Sequence, residues 1–171
     1  MNCNLLKIKI LFVNVKGIKW HGKEAQFKID RLKCIIAQSK ANIVVLTETH
    51  GNNETMTALS NGLHNLEWGF NQATQEDPWA GVTIRVDTTA EKWKISFKKT
   101  IQGRLMEAVI KTKDMKEEFS VYRVYTDSNN LIESWEEILS KIRKTKPTVI
   151  VEDYNTTFDE TQHSKKKTNT A

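Results

Sequence analysis

The sequence predicts a mixed α/β fold in which sheet packs against helices, with two sheets face to face as one way to do so. Three observations carry that prediction. Apolar residues recur at helical spacing over 23–40 and again over 129–144. Short β-branched runs occur at 43–47 and 148–151. Between them lies a stretch of strand-like segments with little helix.

Lys7 to Val13 alternates as a first strand, with Lys7 and Lys9 outward and Ile8 and Ile10 inward. Gly17 and Gly22 mark a connection. Ala25, Ile29, Leu32 and Ile36 then form one stripe of an amphipathic helix. Ile43 to Thr47 is the second strand, so the first fifty residues read as βαβ with parallel, neighbouring strands. Asn52 to Leu63 suits a short helix. Gly81–Val86, Lys92–Thr100, Arg104–Lys111 and Phe119–Tyr125 follow closely enough to pair as an antiparallel meander, with turns at Gly103 and Lys113–Asp114. Lys92, Lys94, Lys98 and Lys99 interleaved with Trp93, Ile95 and Phe97 give one of these strands a wet face. The second long helix carries Leu131, Trp135, Ile138, Leu139 and Ile142 on one face, with Asn130 and Glu133 spaced as a capping pair. Pro147 stops it, and Thr148–Val151 reads as a last buried strand. Residues 159–171 are a polar basic tail containing Lys165-Lys166-Lys167, after a domain over residues 1–158.

At 171 residues the chain suits one domain with a real core. With 39% hydrophobic and 27% charged residues it is too apolar for disorder. Its longest apolar stretch, Ile8 to Val15, is too short to span a membrane, and no secretory signal pattern is present. The expectation is an intracellular protein, nuclear or cytoplasmic, with no membrane partner. The net charge of +5 and pI of about 9.1 lean toward a polyanionic partner. Cys3 and Cys34 sit in no metal-binding or disulfide pattern, and Cys34 reads as a small buried apolar residue.

Four strands end on residues that can do chemistry: Asn14, Glu48, Tyr125, and Asp153 with Asn155. Alone, an acid after a strand is an ordinary cap or loop residue, and Asp-x-Asn is a common turn composition. Their agreement is the informative feature. A rigid strand end fixes a side chain at the rim of a sheet, where layered α/β folds build their sites. A hard cation needs only a few oxygen ligands and keeps sites for water and phosphate. A neighbouring acid can take a proton from attacking water, while amide and phenol groups hold phosphate oxygens. Alternation puts Asp153 and Asn155 on one face and turns Glu152 away.

The order of Val13-Asn14-Val15-Lys16-Gly17, Ile43-Val44-Val45-Leu46-Thr47-Glu48-Thr49-His50, Gly81-Val82-Thr83-Ile84, Val124-Tyr125 and Val149-Ile150-Val151-Glu152-Asp153-Tyr154-Asn155 resembles the endonuclease/exonuclease/phosphatase superfamily. The resemblance is to its abasic-site-endonuclease-like branch, which includes the endonuclease domains of LINE-type retrotransposons. It runs from about Lys7 to Phe158. It implies a partial four-layer α/β sandwich, two packed mixed sheets flanked by helices, with the C-terminal strands missing. It further implies a Mg²⁺-dependent phosphodiesterase, with Mn²⁺ as the alternative ion, acting on nucleic acid, DNA first. Carried over, Glu48 is the metal ligand and Asn14 supports it. Asp153 orients or deprotonates water, Asn155 steadies the phosphate and Tyr125 hydrogen-bonds it. Arg104, Trp20 and Lys19 are candidate nucleic-acid contacts.

The chain departs from the family pattern in three places. Glu152 stands where Gly is usual before the Asp-x-Asn acid. Thr126-Asp127-Ser128 replaces the usual small residue, Pro and Asn after the Tyr. None of His21, His50, His64 and His163 sits in the family's late Ser-Asp-His motif. The expectations that follow are a catalytic apparatus crippled by truncation, an uncovered sheet surface that invites self-association, and, as the competing reading, a non-catalytic retroelement remnant that binds nucleic acid non-specifically.

Overall fold

The computed structural model describes residues 8–18, 23–50, 53–61, 66–75, 80–88, 93–111, 117–126, 131–142 and 146–152. Two four-stranded sheets stack with an apolar layer between them. The first contains β1 (Ile10–Asn14), β2 (Ile43–Thr47), β3 (Leu66–Asn71) and β4 (Val82–Asp87) in the order β1-β2-β4-β3. The second contains β5 (Lys94–Ile101), β6 (Leu105–Lys111), β7 (Glu118–Val124) and β8 (Thr148–Glu152) in sequential order. Helices α1 (Lys23–Ser39) and α2 (Asn53–Ser60) belong with the first sheet and α3 (Leu131–Lys141) with the second.

Alternation along the strands builds these layers. Ile43, Val45, Val82, Ile84 and Val86 of the first sheet meet Met106, Ala108, Ile110 and Val121 of the second. On the outer face of the first sheet, Val44 and Leu46 pack on Ile29, Leu32 and Ile36 of α1 and on Met56 and Leu59 of α2. On the outer face of the second, Leu105, Tyr122 and Val124 pack on Ile138. The arrangement is the four-layer α/β sandwich that the resemblance implied.

β1 and β2 are parallel neighbours across α1, as the βαβ reading predicts. The α1 stripe of Ala25, Ile29, Leu32 and Ile36 is buried throughout. The meander needs correction. The run at 82–87 leaves it and pairs antiparallel with both β2 and β3, so only β5, β6 and β7 form the meander. Val82 to Val86 are buried on both faces, which suits an interior strand, whereas β5 alternates exposed and half-buried residues as an edge does. β3 itself was not anticipated.

Three burial expectations are also corrected. Cys34 is exposed, because it lies two residues from both Leu32 and Ile36 and so on the opposite side of α1. On α3, Ile138 is buried and Trp135 half-buried, while Leu139, one position off that stripe, is 48% exposed. β8 is an edge strand rather than a buried one, with Val149 38% and Ile150 42% exposed. The Lys113–Asp114 turn, the Asn130 cap and the tail lie outside the described residues. Among the described residues, no helix is long and apolar enough to cross a membrane.

Candidate metal and phosphate site at the strand ends

Each sheet contains one parallel pair, β1–β2 in the first and β7–β8 in the second. Parallel neighbours end on the same side, so the residues that follow them share one rim. In the first pair Asn14 stands opposite Thr47, and Glu48 comes next. The Asn14 Nδ2 donates to Glu48 Oε1 over 2.8 Å. The Asn14 Oδ1 accepts from the backbone N–H of Lys16 at 3.0 Å. Two of the residues singled out in sequence are thus in direct contact.

Backbone bonds hold the surrounding loops. The N–H groups of Gly17 and Ile18 donate to the carbonyls of Glu48 and Thr49 at 2.7 and 2.8 Å. Lys28 reaches back from α1 to the carbonyls of Lys16 and Gly17. Lys16, Glu48 and His50 adopt left-handed conformations, with φ of 48°, 50° and 47°. Such conformations are uncommon for residues with a Cβ and gather where surrounding contacts impose them, often at functional sites. Gly17 also has positive φ, and a Cβ there would lie 2.5 Å from His50 Nδ1. His50 therefore packs against the loop that follows Asn14.

The second sheet joins at the same end. The N–H of Thr49 donates to the Gly81 carbonyl at 3.2 Å, and that of Gly81 to the Gly103 carbonyl at 3.1 Å. Buried Asn71 secures the Gly103 turn, accepting from its N–H and donating to the carbonyls of Ile101 and Leu105. Tyr125, half-buried against the layer between the sheets, donates its N–H to the Arg104 carbonyl at 2.8 Å. The Arg104 guanidinium turns to Ser134 of α3, donating to its Oγ at 2.7 Å.

In the β7–β8 pair, Val124 stands opposite Glu152, one residue short of Tyr125 and Asp153. Glu152 Oε1 accepts from Thr126 Oγ1 at 2.7 Å, on the face opposite Val151, which packs into the layer between the sheets. This is the outward placement that alternation gives. Asp153, Asn155, Trp20 and Lys19 lie outside the described residues.

Arg123, which sequence reading passed over, links the two pairs. It is fully buried. Its Nη2 donates to Thr47 Oγ1 and its Nη1 to the Val151 carbonyl at 3.2 Å. Thr47 immediately precedes Glu48, and Val151 stands two residues before Asp153. One guanidinium therefore contacts both strands just before the predicted acids. The available signal was an arginine inside an otherwise apolar run, Val121-Tyr122-Arg123-Val124.

These residues fit a hard divalent cation. A carboxylate has two oxygens, and Asn14 engages one of those on Glu48. Among the described residues no group of three or more His, Cys, Asp or Glu side chains gathers. A cation such as Mg²⁺ needs only one or two carboxylates, with water and phosphate filling its other positions, and Glu48 held by Asn14 is a donor of the kind it takes.

No protein-family model matches the sequence, and no curated protein matches it in sequence. Solved structures do match in shape. A humanized TDP2 from D. rerio superposes with a TM-score of 0.66 at 14% identity, covering 88% of this chain and 63% of that one. The AP endonuclease LMAP from Leishmania major gives 0.63 at 11% identity, covering 85% and 54%. The endonuclease domain of TRAS1, a telomere-specific non-LTR retrotransposon, gives 0.59 at 18% identity, covering 88% and 62%. The chain has the fold of the endonuclease/exonuclease/phosphatase proteins, and it spans roughly three fifths of the length of these three structures.

Proposed function

We propose that this chain carries the first part of a Mg²⁺-dependent phosphodiesterase site that acts on nucleic acid, with DNA as the preferred substrate and Mn²⁺ as an alternative ion. The observation that carries the reading is the Asn14–Glu48 contact at the rim of two parallel strands. The fold, shared with proteins named as endonucleases, adds support. Glu48 would hold the ion and Asn14 would fix the carboxylate rotamer. When bound, the ion would supply positive charge to a phosphate oxygen. Asp153 takes the proton of the attacking water, Asn155 and Tyr125 hydrogen-bond the phosphate, and Arg104, Trp20 and Lys19 contact the flanking strand. Arg104 must leave Ser134 to do so. The site of action is inside the cell, nuclear or cytoplasmic.

The test is nicking of supercoiled or abasic-site DNA with Mg²⁺ by the wild type, Glu48→Ala and Asp153→Ala. Cleavage abolished by both changes is the expected result, and cleavage that survives both removes the mechanism. A second reading is nucleic-acid binding without turnover. It is favoured by the net charge of +5. It predicts salt-sensitive, sequence-independent binding, and multiple turnover by the purified chain would exclude it. The exposed Val149 and Ile150 on edge strand β8 support self-association through that edge.

A further inference from the structure

We infer that Arg123 is a positioning residue, whose buried guanidinium sets the spacing between the ends of β2 and β8 and thereby the geometry in which Glu48 meets a divalent ion. The inference rests on the metal-site reading above and extends it to a residue that contacts neither ion nor phosphate.

The position of Arg123 follows from alternation in β7. Phe119 and Val121 point into the layer between the sheets, so Arg123 does too, at its site end. There the guanidinium touches three strands besides its own. It donates to the Thr47 hydroxyl of β2 and to the Val151 carbonyl of β8, and its Cζ lies 5.6 Å from the centre of the Phe12 ring of β1. Thr47 adjoins Glu48, Phe12 stands two residues before Asn14, and Arg123 stands two before Tyr125. Each contact therefore lies directly beneath a residue placed at the rim.

Apolar packing does not explain this choice. The layer is otherwise filled by Val, Ile, Ala, Met and aromatic side chains, and a buried guanidinium is costly to desolvate. What it provides is direction. A planar fork with fixed donors holds two acceptors at a set separation, whereas aliphatic side chains allow sliding. The acceptors come from different sheets, so the fork fixes one sheet against the other beneath Glu48. A carboxylate displaced by about 1 Å already loses much of its ligating or catalytic value.

The test compares Arg123→Lys, Arg123→Met and Thr47→Val with the wild type. Two quantities are measured for each: melting temperature in EDTA, and the affinity for Mg²⁺ alone, by calorimetry and by Mg²⁺-linked thermal shift. Gly69→Ala, which strains the layer between the sheets elsewhere, serves as a control for general destabilisation. A positioning role predicts Mg²⁺ affinity weakened about tenfold or more in Thr47→Val and Arg123→Met, partial recovery in Arg123→Lys, and wild-type affinity in Gly69→Ala. Where Arg123→Met fails to fold, Thr47→Val and Arg123→Lys decide the matter. Wild-type affinity in both overturns the inference and leaves the metal site standing. A wild type whose Mg²⁺ response is absent, or survives Glu48→Ala, overturns the metal site and the inference with it.

Discussion

Replacing Asn14 by Asp turns the central contact of the site from attractive to repulsive with almost no change of shape. In the wild type the amide donates to Glu48 Oε1 over 2.8 Å. In Asn14→Asp a second carboxylate faces the first, while the bond from the Lys16 N–H to Oδ1 is kept. Two like charges about 4 Å apart repel by ~1 kcal/mol in water and by ~4 kcal/mol at an effective dielectric of about 20. Both side chains are half-buried, so the repulsion falls between these limits. The lost bond to a charged acceptor adds roughly 1.5 kcal/mol. The variant should be less stable by about 2.5–5.5 kcal/mol, a fall in melting temperature of roughly 5–22 °C at 2–4 °C per kcal/mol for a chain of this length. The assay is thermal denaturation in EDTA at mildly alkaline pH. The new carboxylate pair holds a proton to higher pH in the folded state than in the unfolded one. The lost stability therefore returns as pH falls through that raised value. Mg²⁺ at constant pH should also restore it, with a larger thermal shift than in the wild type. Asn14→Ala loses the bond without adding charge, so it should fall less and regain nothing on acidification. An Asn14→Asp protein as stable as the wild type in EDTA would refute the reasoning, as would one rescued by neither acid nor Mg²⁺.

Three further outcomes are expected. A Cβ at Gly69 would lie 2.0 Å from Met106 Cε and 2.4 Å from Phe97 Cδ1. Gly69→Ala should therefore cost about 1–3 kcal/mol by overpacking, and an unchanged melting curve would contradict the close approach of the sheets at that point. Glu118 is held below the usual carboxylate range by hydrogen bonds from Lys146 and then Lys111. Because its folded value is depressed, its contribution is present at neutral pH and is lost as pH falls through that lowered value. In an NMR carboxyl titration, Lys146→Ala should move Glu118 back toward its ordinary value. Ile150→Glu on the β8 edge should weaken concentration-dependent association in sedimentation velocity, and association unaltered by it would move the interface elsewhere.

The sequence exposed those parts of the fold in which one period dominates. α1 is recoverable because four apolar residues at helical spacing face one sheet, and β2 because its short run is apolar and rich in β-branched residues. In β3 only one face is apolar in sequence, Leu66, Trp68 and Phe70; the other carries Glu67 and Gly69, and that glycine makes room for Met106 and Phe97 of the opposite sheet, which no local pattern reveals. Placing the 82–87 strand in the meander failed for a related reason. Pairing depends on which strand needs a second neighbour, and β2, buried on both faces, needed one. At the site, Asn14 and Glu48 were legible because each ends a strand. Arg123 was not, since a charged residue inside an apolar run gains meaning only when its partners on three other strands are known.

The most direct measurement is anomalous scattering from a crystal of the chain soaked in Mn²⁺. The account predicts a peak at roughly 2.0–2.3 Å from a carboxylate oxygen of Glu48, the separation expected for a small hard cation on oxygen, with the Asn14 amide still on the other oxygen. Mn²⁺ bound only at other carboxylates, with Glu48 bare, would contradict it.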